Sequence, residues 1–116
     1  MNKNIISILI ITAFLVVVGC SNGNVDPGEL DSFAQCLTEK NVKMFGTEWC
    51  SHCKNQKALF GNSFQNVDYI DCDKSQQVCA NAGVTGYPTW QIEGQNHPGG
   101  QSLQKLASLS GCDLTP

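Results

Sequence analysis

Arginine is absent from this chain: the 7 basic residues are all lysines, scattered along it rather than gathered into a patch. A protein that grips a nucleic-acid backbone concentrates positive charge on one face, and nothing here points to such a surface. Also missing is an apolar run of the roughly 20 residues that a bilayer-spanning helix needs. Ile5 to Val18 is nearly unbroken but falls short of that length, and behind Lys3 it has the layout of a secretory signal. No internal repeat and no low-complexity segment beyond a short polar stretch is found, so one small domain is expected rather than an array.

Val17-Val18-Gly19-Cys20 resembles a bacterial lipobox, in which Cys20 becomes the lipidated first residue after cleavage. On that reading residues 1–19 are a lipoprotein signal peptide. Residues 20–28, with Ser21-Asn22-Gly23-Asn24, are a flexible tether, and residues 29–116 are the folded domain. The plainer alternative is an ordinary signal peptide or short membrane anchor with an incidental cysteine. Cleavage would remove Lys3 and no acid, leaving 6 basic residues where the whole chain has 7, against 10 acidic ones. The expected location is the cell envelope, on the periplasmic side, lipid-anchored to the membrane. Export matters for the sulfur: disulfides persist outside the cytosol, and small domains with thin cores use them. Apart from Cys20 the cysteines are Cys36, Cys50, Cys53, Cys72, Cys79 and Cys112, and position alone does not fix their pairing.

Leu30, Phe33, Ala34 and Leu37 fall at helical spacing and predict a helix over residues 29–40. Residues 42–45 read as a short strand, and residues 50–60 as a helix stopped by Gly61-Asn62. Residues 67–70 alternate like a strand with one face inward. A second short helix is predicted over 75–82, closed by Gly83. Residues 89–92 and the segment around Asn96-His97 flank Glu93-Gly94-Gln95 in a hairpin pattern. The last helix is predicted over 102–110, with Ser102 as N-cap and Gly111 at its end. This order implies an α/β domain: a mixed central sheet with helices on both faces.

Phe45-Gly46-Thr47-Glu48-Trp49-Cys50-Ser51-His52-Cys53 follows a predicted strand and opens a predicted helix, and Gly83-Val84-Thr85-Gly86-Tyr87-Pro88-Thr89 lies downstream. The two segments resemble the two signatures of thioredoxin-like proteins, and the resemblance runs in order over most of residues 30–112. It is similar in particular to the thioredoxin-like domain fused to bacterial vitamin K epoxide reductase homologues, through the Met-Phe-Gly run, the Tyr-Pro-Thr-Trp loop and the Ser-Leu…Leu-Ala…Ser-Gly ending. The resemblance implies a thioredoxin fold, a cis bond before Pro88, and pairing of the Tyr87 backbone with a bound peptide. It places Trp49 on the rim of the site and Trp90 in the core. It also exposes a departure: thioredoxins keep a buried acid six residues before the first cysteine, and Met44 stands there. Glu48 is near in sequence but expected to be exposed.

The thiolate is the attacking species in thiol–disulfide exchange. Cys50 at a helix start would profit from unpaired N–H groups and the helix dipole, so it is expected to attack. Cys53, one turn deeper on the same side, is expected to resolve the mixed disulfide. His52 either tunes the pair toward the oxidising side, as the histidine at that place does in protein disulfide isomerase, or is simply solvated. Cys72 and Cys79 are close enough to clip one turn, and Cys36 with Cys112 would tie the two ends of the fold; the alternative for each pair is free buried thiols.

A zinc site competes for Cys50, Cys53, Cys72 and Cys79, but the second pair is spaced C-x6-C where a ribbon needs two residues between. A c-type haem link fails because Lys54 stands where histidine is required. No resident cofactor or metal is implied. The expected activity is that of an exported, monomeric thiol–disulfide oxidoreductase acting on exported substrate proteins. Oxidation is the preferred direction, with recharging by a membrane quinone-linked oxidase of the vitamin K epoxide reductase type. A reductant, for instance of apocytochromes, and a non-catalytic disulfide-stabilised or zinc-binding module are the alternatives.

Overall fold

The computed structural model describes residues 28–114. The expected signal peptide over residues 1–19, the lipidation candidate Cys20 and the expected tether up to residue 27 lie outside the described residues. Among the described residues no helix is long and apolar enough to cross a membrane.

Helix α1 spans Asp31–Glu39 and buries Phe33, Ala34 and Leu37 on one face, the stripe that its spacing predicts. It ends where Asn41 takes a positive φ of 60°, and the Val42 N–H bonds back to the Leu37 carbonyl. This turn delivers the chain into β1, Lys43–Gly46, one residue later than the sequence pattern suggests. Helix α2 covers Ser51–Phe60, with Cys50 as its N-cap. Gly61-Asn62 reads as a stop, yet the chain continues as a 3₁₀ helix, Gly61–Asn66. Gly61, at φ 54°, ends the α pitch without ending the helical run. Strand β2 is Asp68–Asp71 and helix α3 is Gln76–Asn81.

The hairpin forms as expected, with β3 at Thr89–Ile92 and β4 at Gln95–Pro98. Its two-residue turn has Glu93 and Gly94 both at positive φ, the combination that matches the twist of antiparallel strands. Helix α4, Leu103–Ser110, is capped by the Ser102 hydroxyl accepting from the Lys105 N–H at 3.0 Å, and ends on left-handed Gly111.

The sheet order is β2-β1-β3-β4, parallel between β1 and β2 and antiparallel elsewhere. Alternation along the strands sorts the core into two layers. Met44, Trp90 and Ile92 face α1, α2 and α4, where they pack with Phe33, Leu37, Phe60 and Leu106. Phe45 faces the other way, toward Cys72, Cys79 and the half-buried Val84 around α3. Phe60 sits at the junction of the larger layer, its ring 6.0 Å from those of Phe33, Phe64 and Trp90. Strand β1 is thus central and covered on both faces. Its C-terminal end opens where α2 begins.

Candidate active site

The chain leaves β1 at Gly46 and turns through Thr47-Glu48-Trp49 into α2, so Cys50 caps the helix in an extended conformation (φ −74°, ψ 118°). The first turn of a helix leaves N–H groups without intrahelical partners, and Cys50 Sγ accepts one of them, from Cys53, at 3.1 Å. The Cys50 thiol in turn faces the Tyr87 carbonyl at 3.6 Å, across from a cis Tyr87–Pro88 bond. Segments separated by 37 residues are therefore brought together at one sulfur.

Trp49, 67% exposed, stands at the rim. Its indole N–H donates to Asp73 Oδ2 at 2.9 Å, and its ring meets Tyr87 edge-on with centroids 6.2 Å apart. Trp49 and Tyr87, with Cys50, Ser51 and His52, line a cavity of about 420 Å³. His52 is exposed on the first turn of α2 and also borders a second cavity of about 300 Å³, toward Leu59 and Gln101. The wall between α2 and the segment before α4 is fixed by Gln56. This buried amide donates to the Gln101 carbonyl at 2.9 Å and accepts from the Gln101 N–H at 2.6 Å.

Cys53 is fully buried beneath Cys50. Burial pushes its thiol from 9.0 up to about 11, with the contact to Cys50 adding to the rise; hydrogen bonding from the Thr47 backbone and the charge of Lys57 oppose it. Gly46 makes the close approach possible, since a Cβ there would lie 2.9 Å from Cys53 Sγ and 3.2 Å from Tyr69 Cε2. Tyr69 lies on the strand beside Gly46. Its phenol is driven well above its usual range by burial, then by the charges of Glu48 and Asp71. Lys57 stands over the Tyr69 ring at 3.9 Å and pairs with Glu48 at 3.2 Å. Met44 is completely buried in the apolar core.

Cys36 is bonded to Cys112 and Cys72 to Cys79, while Cys50 and Cys53 are free. The four sulfurs of the zinc spacing separate into two groups in different core layers. Among the described residues no cluster of three or more His, Cys, Asp or Glu side chains is arranged to hold a metal ion. Gly46, Gln56, Lys57, Tyr69 and Asp73 were not singled out by sequence. Gly46 entered the sequence reading only within the Met-Phe-Gly run, just past the predicted strand, with nothing to mark its approach to Cys53.

The thioredoxin family profile matches residues 27–109. The chain belongs to the thioredoxin family. Its four-stranded mixed sheet with helices on both faces is the thioredoxin fold. Over 92 residues it is 34% identical to a thiol-disulfide oxidoreductase of Arabidopsis thaliana, an alignment covering 72% of this thioredoxin-family chain and 24% of the relative. It is 31% identical over 103 residues to a protein disulfide-isomerase of Dictyostelium discoideum, covering 80% of this chain and 27% of that one. The chain thus spans about a quarter of the length of these two relatives. An oxidised thioredoxin from Plasmodium falciparum solved in solution aligns over 68% of this chain and 86% of its own, with 18% identity and a TM-score of 0.41.

Proposed function

We propose that this domain is a thiol–disulfide oxidoreductase that exchanges disulfides with exported proteins through Cys50 and Cys53. The observation that carries the reading is the division of the sulfurs: four close two bridges, whereas the two free thiols meet at the start of α2 beside the Tyr87 carbonyl. Cys50, at the cavity floor, attacks or is attacked; Cys53, buried behind it, closes or opens the Cys50–Cys53 bond. An extended substrate segment would lie between Trp49 and Tyr87 and pair with the backbone at Tyr87.

The preferred direction is oxidation of the substrate, with His52 favouring the reduced pair and a membrane quinone-linked oxidase of the vitamin K epoxide reductase type restoring the disulfide. The relatives named for thiol-disulfide oxidoreductase and disulfide-isomerase activity support the chemistry in general. Cleavage before Cys20 and lipidation there would hold the domain on the periplasmic side of a membrane.

Trapping decides the mechanism. Cys53→Ala protein should accumulate covalent substrate complexes on a non-reducing gel, and Cys50→Ser should not; efficient trapping by Cys50→Ser would reverse the assignment. The reduction potential decides the direction. A value near the about −180 mV of protein disulfide isomerase supports an oxidant, while one near the about −270 mV of thioredoxin makes it a reductant, for instance of apocytochrome cysteines. His52→Pro should move the potential toward the reducing end.

A further inference from the structure

Cys53 is buried and holds its proton above the ordinary range, yet the proposed exchange requires it to exist as a thiolate in one step. Strand β1 buries no charged side chain that could do this: its buried residues are Met44, Phe45 and Gly46. Lys57 lies four residues after Cys53 on α2, one turn along the same side of the helix. Its side chain is only 22% exposed. The Nζ is held by both carboxylate oxygens of Glu48, at 3.2 and 3.4 Å, and sits over the faces of Tyr69 at 3.9 Å and Phe64 at 5.5 Å. The Tyr69 ring reaches the same point above Gly46 as the Cys53 sulfur. Its hydroxyl is buried, with the Glu48 carboxylate beside it. A lysine ammonium is ordinarily a mobile, hydrated charge on a flexible stem. Here an ion pair and two aromatic faces fix it on the inner side of α2.

We infer that Lys57, clamped between Glu48 and the ring of Tyr69, is a positioning residue that favours the Cys53 thiolate; this rests on the exchange proposed above. When a substrate dithiol is oxidised, its thiolate attacks Cys50 and a Cys50–substrate bond forms as the Cys50–Cys53 bond breaks. The electron pair leaves on Cys53, which later takes a proton from solvent. The second substrate thiolate then attacks the substrate sulfur of the mixed disulfide and releases Cys50, so the substrate loses two electrons and the pair gains them. In the reductive direction Cys53 first gives its proton to solvent, and its thiolate attacks Cys50 to expel the substrate thiolate. Lys57 acts on the same species both ways, as leaving group or as nucleophile. The other titratable groups facing the sulfur are Cys50, the N-cap of α2, and Tyr69 on β2, which is itself faced by Glu48 and Asp71.

The test is a thiolate absorbance titration of full-length Cys50→Ser protein, in which Cys53 is the remaining free thiol of the described residues. Adding Lys57→Met, which keeps the stem against Phe64 and Tyr69, should raise the Cys53 midpoint by about half a unit, roughly threefold less thiolate at any lower pH. Lys57→Arg should keep the original midpoint. Thermal melting of each variant reports the fold separately. An unchanged midpoint in folded Lys57→Met protein overturns the inference, and needs no substrate to do so. With Cys50 restored, Lys57→Met should slow closure of a mixed disulfide by the same roughly threefold factor, while alkylation of Cys50 keeps its rate. Equal slowing of both would also overturn it. Failure to form mixed disulfides at all would remove the proposed function and leave the titration to decide the role of Lys57.

Discussion

An alanine at position 46 would place its Cβ 2.9 Å from Cys53 Sγ, closer than real carbon–sulfur contacts allow, and 3.2 Å from the Tyr69 ring. Either the sulfur or the strand has to move. Gly46→Ala should therefore lower stability by about 1–3 kcal/mol, the usual range for overpacking a filled site. It should also slow formation of the Cys50–Cys53 bond; calorimetry and the rate of oxidation check the two effects, and a variant that melts and oxidises like the parent would show that the space exists. The cysteine pair and the Tyr87-Pro88 loop could be singled out from the sequence because each is a compact run of unusual residues. The neighbourhood of Cys53 could not. Gly46, Lys57 and Tyr69 come from β1, α2 and β2, each ordinary in its own segment, and they become neighbours only when the parallel pairing sets Gly46 beside Asp71 and Met44 beside Tyr69.

Helices and strands were more readable than their ends. The apolar spacing of α1, the Ser102 cap and Gly111 exit of α4, and the Glu93-Gly94 hairpin are local signals, and each element forms within a residue or two of its expected place. The 3₁₀ helix after α2 had no such signal. Gly61-Asn62 is ordinarily a terminator, and the turn that follows is held by tertiary contacts: Phe64 against Tyr69 of β2, and the Asn66 carbonyl accepting from the Thr38 hydroxyl of α1. The Cys72–Cys79 bridge joins the end of β2 to α3 over a separation of 7 residues. Breaking it should cost about 2.5 kcal/mol by loop entropy. Cys72→Ser and Cys79→Ser should lower the melting temperature by similar amounts, and the double variant by little more. Losses that simply add would mean that the two sulfurs stabilise the fold independently. Because Asp73 follows Cys72 directly and holds the Trp49 indole, either variant should also loosen the rim of the site, measurable as a change in Trp49 fluorescence.

For the whole molecule, the raised Cys53 thiol links stability to pH and to redox state. The unfolded chain gives up this proton near 9.0, whereas the folded reduced protein keeps it to about 11. The folded state binds more protons across that window, so stability falls as pH rises through it and is fully retained below it. The oxidised protein has no Cys53 proton to lose. Denaturant melts should therefore show the reduced form losing stability relative to the oxidised form between these pH values; parallel curves would contradict this. Tyr69 is raised as well, chiefly by burial that both redox forms share; the part added by the charge of Cys53 belongs to the reduced form alone and acts in the same direction. None of this was legible in the sequence, because it depends on how deeply α2 seats Cys53 against β1.

The Cys36–Cys112 bond has a mechanical consequence. It joins α1 to the segment just after α4, across a separation of 76 residues, and so closes almost the whole domain into a covalent ring. A pull applied through the two ends of the chain passes along α1 to Cys36, across the sulfurs and out at Cys112. It never loads the sheet, and some 260 Å of contour length, at about 3.4 Å per residue, stays out of reach of the force. Likewise a single backbone cut inside the ring leaves both pieces attached. If the domain is tethered at one end and seized by a substrate or protease at the other, the site at the head of α2 is shielded from the strain that passes between them.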